Sequence, residues 1–71
     1  MWVYRSPIGP FVIRRAGDGK YELWHDSECY GRYMEPLAAA DDVSTHNTGC
    51  DRWDDLNVPD EPTDLGEWEK L

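Results

Sequence analysis

Basic side chains are scarce in this chain. Seven Lys and Arg stand against fifteen Asp and Glu over 71 residues, a formal net charge of −8. That shortage argues against the cationic footprint that neutralises phosphates, and with it against direct nucleic-acid binding. It also disfavours adhesion to an anionic membrane. Long apolar runs are lacking too: nothing approaches the ~20 residues of a membrane span. The opening Met-Trp-Val-Tyr-Arg-Ser-Pro has no apolar core of a secretory signal. Only two cysteines are present, Cys29 and Cys50. Without a secretory signal they are expected to remain reduced thiols in the cytoplasm rather than form a disulfide scaffold.

Recognisable catalytic patterns are also missing. Gly17-Asp18-Gly19 is too short for a phosphate-binding loop and sits where a hairpin turn is expected. Asp41-Asp42 and Asp54-Asp55 lack the ligand spacing of a calcium loop and read as solvated acidic faces. There are no internal repeats and no low-complexity tract.

What the chain does have is aromatic: four Trp, four Tyr and one Phe. A chain of 71 residues allows one domain. At this length it buries only about 60% of its unfolded surface, so stability should be marginal. Rings that each remove roughly 150–250 Å² from water can supply a core without disulfide or metal. The charge is uneven. Residues 1–53 carry eight acids and six bases, a net of −2, whereas residues 54–71 carry seven acids and one Lys, a net of −6. The sequence therefore divides into a domain over residues 1–56 and an acidic extension over residues 57–71.

Alternation predicts strands. Trp2 and Tyr4 share one face against Val3, Phe11 and Ile13 oppose Val12 and Arg14, and Tyr21 and Leu23 oppose Glu22 and Trp24. Residues 5–10 hold two Pro and a Gly and read as a loop, while Gly17-Asp18-Gly19 suits the positive φ of a hairpin. A further strand is expected around Cys29-Tyr30-Gly31-Arg32-Tyr33, with Cys29 and Tyr33 aligned and Gly31 marking a bulge or a close approach.

Pro36 fits the first position of a helix, and Leu37, Ala39, Ala40 and Val43 form its expected apolar stripe, closed by Gly49 as a left-handed cap. Trp53 and Leu56 are candidates to anchor the segment after it. Residues 57–62 read as an extended linker, and Thr63 to the C-terminus as a terminal helical turn with Leu65, Trp68 and Leu71 on one face. The fold class expected is α+β: a small antiparallel sheet of three to four strands, one helix packed on one face, and an acidic extension.

One spacing is repeated. His25-x-x-x-Cys29 and His46-x-x-x-Cys50 supply enough donors for a tetrahedral zinc ion. Neither pair has the Cys-x₂₋₄-Cys form usual in structural zinc sites, so the sequence favours unrelated packing and turn roles for all four, with no cofactor expected. A chain this small also has little depth for a catalytic pocket.

The function expected is non-catalytic protein interaction by a monomer or weak homodimer. It would use an open aromatic sheet face bearing Trp24 and Tyr30, or the extension bearing Leu65, Trp68 and Leu71. The alternatives are a zinc-stabilised domain and an acidic decoy for the basic groove of a nucleic-acid-binding protein.

Overall fold

The computed structural model describes residues 1–56, 62 and 64–71. Five strands make one antiparallel sheet: β1 (Trp2–Ser6), β2 (Gly9–Arg15), β3 (Tyr21–His25), β4 (Glu28–Tyr33) and β5 (Glu69–Lys70), in the order β4-β3-β2-β1-β5. Helix α1 (Pro36–Ser44) packs on one face, and a single-turn helix α2 (Asp51–Asp54) follows it. The fold is thus α+β with a small antiparallel sheet.

Register sorts the side chains as the alternation predicts. Tyr4 lies opposite Phe11 and Phe11 opposite His25; Trp2 lies opposite Ile13 and Ile13 opposite Leu23. These residues share the helix-covered face, where Phe11, Ile13, Leu23 and His25 are buried. The other face carries Val3 and Arg5, Val12 and Arg14, and Glu22 and Trp24. The loop expected over residues 5–10 shrinks to a two-residue turn at Pro7 and Ile8, with Gly9 and Pro10 already in β2. Pro10 is tolerated because it lies outside the span that pairs with β3, so its missing N–H breaks no ladder there. At the next hairpin Gly19 takes φ +84°, and the Lys20 N–H donates to Asp18.

The strand β4 departs from simple alternation. Trp24 faces Cys29, but its neighbour Leu23 faces Gly31, so one extra residue, Tyr30, is inserted in β4. This bulge puts Cys29 on the open face with Trp24, and Gly31 and Tyr33 on the helix side. Cys29 and Tyr33 therefore do not align, contrary to an unbroken period of two. The Tyr33 ring folds back over Gly31: a Cβ at that position would stand 2.8 Å from the Tyr33 hydroxyl. The same hydroxyl donates to Asp42 at 2.8 Å and ties β4 to α1.

Helix α1 begins with Pro36, as its sequence predicts, but buries Ala39, Ala40 and Val43 while Leu37 stays half exposed. The inward stripe runs 36, 39, 40, 43 (i, i+3, i+4, i+7), which places Leu37 about 100° away from it. Small alanines let the helix approach a sheet crowded with rings. The helix ends earlier than Gly49. His46 adopts φ +57°, with its N–H donating to Val43 O at 3.2 Å and the Asn47 N–H to Asp42 O at 2.9 Å. This is a Schellman ending with His in the position usually held by Gly.

The C-terminal extension also differs from expectation. Leu65–Glu67 form a 3-10 turn, and β5 then pairs with the free edge of β1, Trp2 opposite Lys70 and Val3 opposite Glu69. Strand β1 had an unpaired edge to satisfy, and the extension supplies the backbone partners, so a strand forms where a helical turn was expected. The linker expected over residues 57–62 lies, apart from Pro62, outside the described residues.

Candidate functional site

The four candidate zinc donors are not brought together. His25 is buried on the helix side, its Nε2–H donating to Ile8 O at 3.0 Å, with its ring 4.7 Å from that of Phe11. Cys29 is exposed on the opposite side of the sheet because of the bulge. His46 stacks on Trp53 at 4.7 Å and donates from Nδ1 to Trp53 O at 2.8 Å. Cys50 is buried beside the start of α2. Among the described residues no group of three or more His, Cys, Asp or Glu converges on a metal-sized site.

The expected aromatic face stays open, but its ring, Trp24, is half-buried among charged neighbours. Trp24 points away from α1, but the Arg14 guanidinium lies 4.2 Å over its ring and its Nε1–H donates to Glu22 at 3.1 Å. Arg14 and Arg32 both pair with Glu22, Arg32 also with Asp18, and Arg5 with Glu69. The Lys20 N–H and the Arg32 charge hold the Asp18 carboxyl below its ordinary value. Charges of both signs thus neutralise one another across this face.

Tyr30 leaves the open face. As the bulged residue it packs against the core, its ring 6.5 Å from that of His25. Hydrogen bonding with the Cys50 side chain, followed by burial, raises its phenol to about 12. Trp68 is buried and Leu65 half-buried against the same core, so in cis they are largely withdrawn from partners. Leu71 remains exposed, its N–H donating to Met1 O at 2.8 Å.

Besides Met1 and Leu71, both at least half exposed, two further large apolar side chains stand in water. Met34 is 78% exposed and Leu37 50%, where β4 passes into α1. They border an open groove of about 640 Å³ whose lining also includes Arg32, Tyr33, Glu35, Ala38 and Asp41. Burial and the hydrogen bond to Asp42 raise the Tyr33 phenol well above its ordinary value, so this wall is a neutral, fixed ring. Met34 and Leu37 were not among the sequence candidates. The available signal was positional: Leu37 falls off the Pro36-Ala39-Ala40-Val43 stripe, and Met34 sits in the short strand-to-helix connection. The groove can hold an apolar side chain and present two carboxylates at its rim.

No family model matches this chain, and neither the curated proteins nor the solved structures compared with it yield a match. Among the described residues no helix is long and apolar enough to cross a membrane.

Proposed function

We propose that this chain is a non-catalytic protein-interaction module whose working surface is the groove between the end of β4 and the start of α1. The observation that carries the reading is the pair Met34 and Leu37, large apolar side chains left in water beside an open groove. Met34 leaves most of its surface in water and Leu37 half, so the domain forgoes much of the stability that burying them would give. Adjacent exposed apolar groups with a polar rim are the usual mark of a contact surface. The partner is another protein. The free thiols of Cys29 and Cys50 support a reducing compartment, the cytoplasm, as the place of action.

Site-specific photo-crosslinking tests this. A crosslinker placed at Met34 should capture a discrete protein in the source cell, and Leu37→Asp should abolish the capture. A crosslinker at Trp24 should capture much less. Equal capture at both positions, or indifference to Leu37→Asp, would move the surface to the open sheet face.

A further inference from the structure

The groove is continuous with a strand edge. Strand β4 is the outermost strand on its side, and among the described residues nothing pairs with its outer edge. Such an edge presents N–H and C=O groups without strand partners, and the Gly31 carbonyl accepts a weak thiol hydrogen bond, from Cys29 Sγ at 3.5 Å. The bulge at Tyr30 breaks the regular ladder in the first half of β4, which leaves Gly31, Arg32 and Tyr33, next to the groove, as its regular stretch. On the opposite side β5 covers only Trp2 and Val3, so among the described residues Tyr4, Arg5 and Ser6 of β1 also lack a strand partner there, but the groove does not adjoin that edge.

The charges beside this edge are not balanced. Arg32 is already engaged by Asp18 and Glu22, and the Asp42 carboxylate by the Tyr33 hydroxyl. Glu35 and Asp41 line the groove, and among the described residues no cation pairs with either carboxylate. The rim is therefore acidic, in a chain whose net charge is −8.

We infer that β4 takes a short extended segment of a partner protein as a sixth strand at residues 31–33, and that this segment carries an apolar side chain for the groove and a Lys or Arg for Glu35 and Asp41. The inference rests on the interaction reading above and gives it a mode and a ligand chemistry. Main-chain hydrogen bonds along the edge supply sequence-independent binding. The groove and its acidic rim select the side chains. A second copy of the chain fits less well. Antiparallel pairing of two β4 strands about Gly31 sets Met34 of one copy against Glu28 of the other, not against a second apolar groove.

The test uses the whole chain and three synthetic peptides followed by amide NMR shifts: acetyl-Lys-Val-Leu-Val-Lys-amide, the same peptide with Glu for both Lys, and the Lys peptide with alternate backbone amides N-methylated. The Lys peptide should shift the amides of residues 31–37 and bind at least about tenfold more tightly than the Glu peptide. N-methylation on the pairing edge should remove binding. Exchanging the rim charges with Glu35→Lys and Asp41→Lys, both exposed positions, should reverse the preference toward the Glu peptide.

Equal affinity for the Lys and Glu peptides overturns the inference, as does a shift map centred on Trp24. Concentration-dependent shifts along β4 without peptide would make a second copy the occupant and overturn it as well. If no peptide binds while crosslinking from Met34 still depends on Leu37, strand addition falls and the groove reading stands. If both fail, both fall.

Discussion

Two tryptophans flank Tyr4, with ring centroids 5.8 Å and 5.6 Å from it, and they are held in different ways. Trp53 has no exposed surface. Its Nε1–H donates to Val43 O at 2.9 Å, its carbonyl accepts from His46 at 2.8 Å, and Phe11 meets it edge-on at 5.2 Å. The loop around it is closed by Asp54, whose carboxylate accepts from the Thr48 N–H at 3.0 Å, the Thr48 hydroxyl at 2.8 Å and the Gly49 N–H at 2.9 Å. Trp68 is 5% exposed, yet among the described residues its Nε1–H finds no acceptor, and it is followed by a strand of only two residue pairs. Burial alone does not distinguish them. Polar satisfaction does, and it marks the segment around Trp53 as the lock and the C-terminal segment as a strap that opens first.

The largest effect expected from this difference is on global stability. Trp53→Ala should cost about 3–5 kcal/mol, a large share of the roughly 5–15 kcal/mol available to a small domain. Trp68→Ala should cost less, about 2–3 kcal/mol, because it also removes a buried N–H whose desolvation costs about 1–3 kcal/mol. Denaturant midpoints of the two variants check the order. In the unmodified chain, the β5 amides and the Leu71 N–H should exchange with solvent much faster than those of Phe11 and Ile13. Equal losses and equal exchange would erase the distinction.

Much of this arrangement is legible in the sequence, and the parts that are not have definite physical causes. Period-two alternation places Phe11, Ile13 and Leu23 on the covered face, and Pro36 marks the helix start, because these signals depend on local backbone geometry alone. Trp53 could be named as an anchor from its type and spacing. The bulge at Tyr30 is different: it depends on how β4 pairs with β3, so an unbroken alternation misplaces both Cys29 and Tyr30. The early end of α1 depends on His46 accepting a left-handed backbone that costs roughly 1–2 kcal/mol. Stacking on Trp53 and the hydrogen bond to its carbonyl help offset that cost, and neither is visible in a one-dimensional pattern. The strand at Glu69 and Lys70 answers a distant edge on β1, whereas the spacing of Leu65, Trp68 and Leu71 suggests only a helical turn. The groove was missed because it consists of positions left over by the helix phase, which the first turn alone does not settle.

Alkaline titration gives a smaller, pH-dependent separation. Tyr30 reaches Cys50, which precedes α2 in the segment around Trp53, and its phenol is raised from 10.0 to about 12. A phenol whose folded pKa exceeds its unfolded value contributes stability that is intact below 10.0 and lost as pH rises through about 12. Denaturation midpoints should therefore fall across that window. Tyr30→Phe should remove part of the fall, the remainder coming from Tyr33, raised by burial and by Asp42. Trp68→Phe should leave the fall unchanged. A Tyr30→Phe protein with an undiminished alkaline loss would detach Tyr30 from the Trp53 segment.

The smallest effect is the most discriminating, because it changes little except the indole N–H. Trp53→Phe leaves the Val43 carbonyl without its donor and opens space in a fully buried site, so it should cost about 2–3 kcal/mol. Trp68→Phe also loses ring volume, but it discards an N–H that is buried without an acceptor. The two terms oppose each other, and the net change should stay within about 1 kcal/mol of zero. Retention of the β5 pairing, read from amide shifts, would show that the ring and not its N–H holds the strap. A loss from Trp68→Phe as large as that from Trp53→Phe would mean that the Trp68 N–H is satisfied after all, and the two tryptophans would then differ in position but not in kind.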